Sequence, residues 1–426
     1  MTEVETTEVE TTEVARTGTE TATAPPDLDR PLRLHPLTYL EEGDEVTVGR
    51  ADTDSYGLFP ADGAALLRRL EAGSSPNEAG RWYTEQYGEQ VDMAEFLEVL
   101  EEFDLVLKDG EQAAVARPVR WQRLGRALFS PVAWVCYAAL FGAAVVACVR
   151  NPAIAPSYSH LFFTRSSLVA LTLGIVLGQV PWILLHEAYH ALAGRRLGLN
   201  STLRIGRRFY YVVFVTSLDG LVAVPRRKRY LPMLAGMLFD VLIMSALTLL
   251  ADALHSAGGA GALLDKLLLA MVFATVLRFA WQFYFFLRTD LYYLATTVMG
   301  CNDLQTVARQ MLQNRYYRLT GRPERMVDEE GWHPRDRDVA RWYQWLMVTG
   351  YGVLSVLLVT SVVPAAIRIM QMVVHKLGTS HSFPNILDVC VFLVLNFGEL
   401  VLAGYLAVRG RRRRGRASTA ATAAQN

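Results

Sequence analysis

The residues that could perform chemistry lie in one short stretch, His186-Glu187-Ala188-Tyr189-His190, which has the pattern H-E-x-x-H. On a helix, positions i and i+4 lie one turn apart on one face, so both imidazoles can bind the same metal ion. Glu187, beside the first histidine, can reach a water molecule at that metal and act as general base. The pattern therefore predicts zinc-dependent hydrolysis. The alternative is a pair of interfacial histidines and a glutamate that only mark the end of a membrane helix.

The helix that carries this pattern is predicted by the run before it. Residues 166–185 contain no charged side chain, and about twenty such residues suffice for a helix to cross a bilayer core. The span predicted here runs from Ser166 to about Ala193. Pro181 can kink it and admit water to the metal, although prolines are also common in membrane helices without such a role.

Further apolar runs predict a polytopic α-helical membrane protein with about six transmembrane helices. The composition agrees, with 52% apolar and 20% charged residues. The loop 194–230 contains nine Arg and Lys residues, which places it in the cytoplasm by the positive-inside rule, and both termini then also lie there. The predicted spans are Ala127–Val149, Ser166–Ala193, Leu231–Leu250, Leu267–Leu287, Trp342–Ile367 and Val389–Val408.

A catalytic zinc needs a third protein ligand and an open position for water. The predicted fourth span ends near Asp290 at the same membrane face as His186 and His190, which makes Asp290 the first candidate.

A β-hairpin is predicted in the cytoplasmic loop after the second span. Residues 209–215 and 221–224 are rich in β-formers and flank a turn that ends in Asp219-Gly220. Its edge could pair with an extended peptide, with Tyr211, Val213 and Val215 as the candidate substrate-binding residues, or it could only cover the site.

Ionisable residues within spans are costly unless they are paired. Asp240 and Arg278 lie at similar depths in the third and fourth spans, so we predict an ion pair between them. This pair would support the helices that carry the metal ligands without binding the metal itself. Glu399 in the sixth span has no obvious partner.

The front of the chain predicts a small α+β domain with a winged-helix-like order over residues 27–110. Two strands, at Glu45–Val48 and Tyr56–Phe59, precede three helices, and a last short strand follows at residues 105–107. The second helix opens with a Ser75–Glu78 capping box. Residues 27–110 hold 20 acidic and 7 basic side chains, which repels phosphates and makes nucleic acid an unlikely partner.

The remaining segments follow from composition. The predicted organisation is a disordered acidic tail (1–26), the front domain (27–110), a membrane core with four helices (111–298), a cytoplasmic segment (299–341), two further transmembrane helices (342–408) and a basic cytoplasmic tail (409–426). The sequence indicates no oligomeric state.

These motifs together resemble the site-2 protease family of intramembrane zinc metalloproteases, and more closely bacterial peptide zinc metalloproteases fused to PqqD-like domains. The resemblance covers residues 120–300 and 30–108. It implies that His186, His190 and Asp290 hold Zn²⁺, that Glu187 activates water, and that the front domain binds the leader of a ribosomally made peptide. Asp290 stands in T-D-L where the family commonly has L-D-G, and Ala235-Gly236-Met237 stands where it has A-G-P. The only L-D-G in this sequence is Leu218-Asp219-Gly220, which makes Asp219 the second candidate for the third ligand, after Asp290, whose position agrees with the family's spacing.

The sequence therefore predicts a zinc metallopeptidase in a bacterial plasma membrane, with a leader-bearing or membrane-associated peptide as substrate and the lipid bilayer as surroundings. A non-proteolytic protein that binds or exports a modified peptide is the alternative. A third interpretation is a protease that cuts a transmembrane regulator, with the front domain as sensor.

Overall fold

The computed structural model describes residues 28–43, 45–50, 52–53, 55–108, 111, 118–164, 167–208, 211–257 and 263–357, with scattered positions between 359 and 398. Over residues 204–208 and 211–215 it describes the backbone alone. The predicted acidic tail, the basic tail, Glu399 and most of the sixth span lie outside the described residues.

The described chain is mostly helical, with two small sheets. The strands are β1 (Thr38–Glu42), β2 (Glu45–Arg50), β3 (Ser55–Pro60), β4 (Asn200–Arg208) and β5 (Tyr211–Asp219). The helices are α1 (Ala61–Glu71), α2 (Pro76–Tyr87), α3 (Met93–Glu102), α4 (Gln122–Leu128), α5 (Pro131–Arg150), α6 (Leu168–Arg196), α7 (Arg226–Ala257), α8 (Leu264–Trp281), α9 (Asp290–Met299), α10 (Leu304–Leu319) and α11 (Pro334–Leu357).

Two compact units share these elements. The first comprises residues 1–130, 187–204 and 215–232, and the second comprises residues 131–186, 205–214 and 233–426. Helices α6 and α7 each contribute to both units, with α6 passing from one to the other between His186 and Glu187.

Three helices in the described residues are long and apolar enough to cross a membrane: α5, α6 and residues Arg226–His255 of α7. In the most apolar window of α6 only 6% of the residues are buried by protein, against 50% in α7. The side chains of α6 therefore need an apolar medium around them, whereas α7 is largely covered by its neighbours.

The structure corrects two of the predicted spans. The first does not begin at Ala127, because α4 ends at Leu128 and α5 starts afresh at Pro131, a residue that suits only the first turn of a helix. The fourth does not continue to Leu287. Helix α8 ends at Trp281, and a 3-10 turn at Phe285–Leu287 separates it from α9.

The front domain has the predicted helices and one more strand than predicted. Strands β1, β2 and β3 form an antiparallel meander in which Val46 pairs with both Glu41 and Phe59. Strand β1 was not predicted. The predicted strand at 105–107 is reduced to a single bridge between Val106 and Leu34, because its partner segment runs beside it only briefly.

The core of this domain is aliphatic and closes the sheet against α1 and α3. Leu66, Leu67 and Leu70 of α1 have no exposed surface, as expected from their helical spacing. Ser75 caps α2 in the predicted capping box, and Asp92 caps α3. These local predictions are confirmed.

Arg50 is buried beside two carboxylates at the end of β2. Its guanidinium lies 2.7 Å from Asp52 and 2.9 Å from Asp104. The hydrogen bond from Arg50 holds the pKa of Asp52 below its ordinary value. The ion pair thus keeps a buried cation compensated within an acidic domain.

Glu42, where β1 ends, contacts the beginning of α7. Its carboxylate accepts hydrogen bonds from Arg226 N at 3.0 Å, from Arg226 Nε at 2.8 Å and from Arg229 Nη2 at 3.4 Å. Part of the basic loop therefore anchors the front domain.

The predicted hairpin after α6 exists, but its strands lie earlier in the chain than predicted. The two-stranded sheet pairs β4 with β5, so the predicted turn at Asp219-Gly220 is the end of β5. Gly220 there has a φ of +81°, and residues Leu221–Ala223 form a 3-10 turn, which corrects the predicted strand at 221–224. The segment of β4 is predicted to be part of a loop because it contains several basic residues.

Helix α4 packs against α6 through a glycine. A Cβ atom on Gly125 would lie 2.4 Å from the carbonyl oxygen of Leu192, a distance that real Cβ atoms essentially never show. Glycine at this position is therefore what lets the two backbones approach.

We expect Gly125→Ala to lower the apparent melting temperature of the detergent-purified protein. The added methyl meets backbone, and such overpacking costs about 1–3 kcal/mol. Gly142→Ala in α5 is the matched control, since a Cβ there meets nothing within 4 Å. Equal melting temperatures for the two variants would contradict the close packing of α4 on α6.

Candidate metal centre

Helix α6 carries both histidines of the H-E-x-x-H pattern without interruption. Pro181 lies inside this helix, and His186 and His190 lie one turn apart on it. Only 5% of His186 and 8% of His190 is exposed. Buried imidazoles on one face require polar partners, and these define the site.

Asp290 supplies a carboxylate at this position. Its Oδ2 lies 3.3 Å from His186 Nε2. The ligand atoms of His186, His190 and Asp290 all lie within 4.8 Å of one another, and no other cluster of three such residues exists among the described residues. The structure thus brings together the three predicted metal ligands.

The turn before α9 fixes the position of Asp290. Thr289 Oγ1 donates to the carbonyl of Gln282 at 2.7 Å, and the Asp290 amide donates to the Gln282 side chain at 3.1 Å. Arg288 adopts a φ of +54° in this turn, a conformation that is costly for a residue with a side chain. The hydrogen bonds to Gln282 therefore hold Asp290 in place, while the backbone at Arg288 is strained.

Each histidine has an oxygen atom close to its Nδ1. The carbonyl oxygen of Pro232 accepts a hydrogen bond from His190 Nδ1 at 2.7 Å, and His186 Nδ1 lies 3.1 Å from Asp240 Oδ1. A carbonyl oxygen can only accept, which favours the tautomer of His190 with the proton on Nδ1. His190 Nε2 then carries the lone pair that a metal ion needs.

The predicted ion pair between Asp240 and Arg278 is present. Arg278 Nη2 lies 2.5 Å from Asp240 Oδ1, and Asp240 has no exposed surface. Arg278 Nη1 also donates to Gln179 Oε1 at 2.8 Å, and Gln179 Nε2 donates to the carbonyl of Met271 at 3.0 Å. A buried network therefore extends from α8 through Asp240 to His186.

Glu187 is held by the end of the hairpin. Its Oε2 accepts a hydrogen bond from the amide of Thr216 at 2.8 Å, and Thr216 Oγ1 donates to the carbonyl of Glu187 at 3.0 Å. Two hydrogen bonds between the same pair of residues fix both the backbone and the carboxylate of Glu187.

The three donors are of the kind that can hold a divalent metal ion, zinc among them. Two imidazole nitrogens and one carboxylate oxygen are the ligands that catalytic Zn²⁺ sites use, with a position left open. Tetrahedral ligands at zinc distances lie roughly 3.3 Å apart, which agrees with the 3.3 Å between His186 Nε2 and Asp290 Oδ2.

The other predicted site residues lie on the hairpin. Asp219 ends β5, where its carboxylate accepts from Ser217 Oγ at 3.2 Å, and it belongs to no three-residue cluster in the described chain. This placement favours Asp290 as third ligand. Tyr211, Val213 and Val215 lie in β5, and their side chains are outside the described part of the structure.

Asp388, the residue just before the predicted sixth span, caps the beginning of α6. Its carboxylate accepts from Leu168 N at 3.0 Å, from Val169 N at 3.2 Å and from the Ser167 hydroxyl. The first amides of a helix have no partner within it, so this carboxylate satisfies them from elsewhere in the chain.

Residues that position the site were missed by sequence reasoning. Gln179 and Gln282 are polar residues in or beside apolar helices, and that composition was an available signal. Thr216 acts mainly through its backbone amide, for which the sequence holds no signal.

Comparison of the chain with protein-family models, with curated proteins and with solved structures found no match.

We expect Asp240→Asn to reduce the yield of folded protein and its apparent melting temperature. The change leaves the Arg278 guanidinium, of which 19% is exposed, without a counter-charge, which costs up to about 3–5 kcal/mol. The double variant Asp240→Asn, Arg278→Gln should recover part of the loss, as measured by size-exclusion yield and thermal melting in detergent.

Asp252→Asn is the matched control on the same helix, because Asp252 accepts from Asn151 at 3.1 Å and takes no part in the pair between Asp240 and Arg278. Failure of the double variant to recover would show that the pair does not hold α7 and α8 together.

Proposed function

We propose that this protein is a membrane-embedded zinc metallopeptidase that hydrolyses a peptide bond. The observation that carries the proposal is the convergence of His186, His190 and Asp290, whose ligand atoms all lie within 4.8 Å of one another. The resemblance of these residues to the site-2 protease motifs supports the same function.

His186, His190 and Asp290 would hold the zinc ion. A zinc ion at this position supplies Lewis acidity toward a carbonyl group and toward water. Asp240 orients His186, and Pro232 orients His190 through its carbonyl oxygen.

Glu187 would move the proton. The Thr216 amide holds Oε2 at 2.8 Å, and we assign the role of proton acceptor to Oε1. From there the carboxylate takes a proton from the attacking water and returns it to the leaving amine nitrogen. The hydrogen bonds to Thr216 keep the carboxylate in one orientation while it does so.

The hairpin would hold the peptide in an extended form. Backbone groups alternate between the two sides of a strand. The Thr216 amide points to Glu187 and therefore not to β4, so the amides of residues 212 and 214 share that outer edge. A peptide strand added there would run toward Glu187. Tyr211, Val213 and Val215 would contribute side chains to its recognition.

The front domain would capture the peptide before cleavage. Its meander ends in β1, an edge strand of the sheet, and its order of elements resembles PqqD-like domains. A leader-bearing ribosomal peptide is the substrate that this resemblance supports.

The surroundings we propose are a bacterial plasma membrane, with six spans and both termini in the cytoplasm. The three apolar helices α5, α6 and α7 support membrane placement. The nine basic residues of loop 194–230 support the orientation.

We expect about one zinc ion per chain in detergent-purified protein. Asp290→Ala should remove most of the metal. Asp219→Ala, which removes the same type of side chain from the hairpin, should retain it. Elemental analysis of the three proteins tests this. Loss of zinc with Asp219→Ala alone would move the third ligand to the hairpin, and wild-type protein without zinc after reconstitution would refute the metal centre.

We expect Glu187→Gln to reduce peptide cleavage at least about 100-fold while it retains zinc, because the amide cannot accept the proton. Co-expression with peptides encoded beside the gene, followed by mass spectrometry of the products, measures this.

The two hydrogen bonds between Thr216 and Glu187 are also compatible with a non-proteolytic protein that binds or exports a modified peptide. In that case wild type and Glu187→Gln would bind the same peptide and neither would cleave it.

A further inference from the structure

A second polar site lies between α10 and α11, where the sequence shows no motif. A cleft of about 430 Å³ opens there. Its lining contains four arginines and one carboxylate, a net charge of +3; the charged residues are Arg315, Arg318, Arg337, Arg341 and Glu329. A concave surface with this balance attracts an anion.

Contacts within the protein neutralise little of this charge. Glu329 accepts from Asn314 Nδ2 at 3.0 Å and lies 3.8 Å from Arg318. Arg341 lies 3.8 Å from Asp338 at an exposed position. Arg337 makes no ion pair with any described residue. Exposed pairs at such distances contribute little, so the arginines are available to a ligand.

A buried acceptor accompanies these cations. Gln344 lines the cleft with only 5% of its surface exposed. Its Nε2 donates to the carbonyl of Arg341 at 2.9 Å, which fixes the orientation of the amide. Its Oε1 is buried and accepts no hydrogen bond from the described residues. A buried carbonyl of this kind calls for a donor such as a hydroxyl group.

Beyond the cleft, α11 becomes apolar on its exposed side. Trp342 and Trp345 are 52% and 51% exposed, and further exposed aliphatic residues follow them, namely Leu346, Val348, Val353 and Val356. Tryptophan is enriched at membrane interfaces, and aliphatic surface of this extent belongs in lipid. The guanidinium of Arg315 lies over the Trp345 ring at 5.1 Å, which links the basic cleft to this surface.

We propose that the cleft binds the headgroup of an anionic phospholipid that carries a hydroxyl group, as in phosphatidylglycerol. The arginines bind the phosphate through paired N–H donors, and Gln344 accepts a hydrogen bond from the headgroup hydroxyl. The acyl chains lie along the apolar side of α11. The assignment uses no residue of the metal centre and is independent of proteolysis.

Native mass spectrometry of the full-length protein in detergent, titrated with single lipids, tests the proposal. We expect one phosphatidylglycerol to bind at least about tenfold more tightly than phosphatidylcholine. The double variant Arg337→Gln, Arg341→Gln should weaken phosphatidylglycerol binding about thirtyfold, since each arginine near an anionic headgroup contributes a factor of about five.

The pair Arg322→Gln, Arg325→Gln is the matched control, because it removes two exposed arginines from the same segment outside the cleft. It should change binding less than about twofold.

Gln344→Leu should erase the preference for phosphatidylglycerol over phosphatidylmethanol, which has the phosphate but no hydroxyl. Thermal melting of each variant establishes that it is folded.

Two results would overturn the proposal. Equal loss in the control pair would mean that diffuse charge, and not the cleft, attracts the lipid. Competition by water-soluble glycerol 1-phosphate at the same concentration as the lipid would mean that the ligand is a free phosphate ester.

Discussion

A buried negative charge constrains the helices that form the metal centre. Asp240 lies on α7 with no exposed surface, and an isolated carboxylate in such a position would cost many kcal/mol. The packing compensates it with Arg278 from α8 at 2.5 Å and with His186 from α6 at 3.1 Å. Three helices therefore meet where one charge must be satisfied. The same contact that satisfies the charge orients a metal ligand.

Much of this site could be predicted from the sequence because its residues are polar or charged and stand beside or within apolar runs. An H-E-x-x-H beside a charge-free run stands out, and so do Asp240 and Arg278 within apolar helices. The convergence of Asp290 with the histidines followed from run lengths and loop charges. The front domain was predictable for another reason, since its helix caps at Ser75 and Asp92 are local signals.

The parts that could not be predicted depend on contacts distant in sequence or on the backbone. Strand β4 was missed because its arginines are typical of a loop, and its pairing with β5 outweighs that composition. The end of α8 depends on a turn tied by the side chain and carbonyl of Gln282, which no periodicity reveals. Glu187 is held by the main-chain amide of Thr216, and every residue except proline possesses such an amide. Tertiary partners decide such features, and a single sequence does not name them.

The cap on α6 has a consequence for biosynthesis. Asp388 accepts from the amide of Leu168, although 220 residues separate the two. A ribosome makes the chain from its amino end, so α6 is synthesised long before its cap exists. The first turn of the helix that bears the histidines is complete only after residue 388 has emerged. A product that ends before Asp388 would lack this cap, and that ties the integrity of this helix to the synthesis of a segment 220 residues further along the chain.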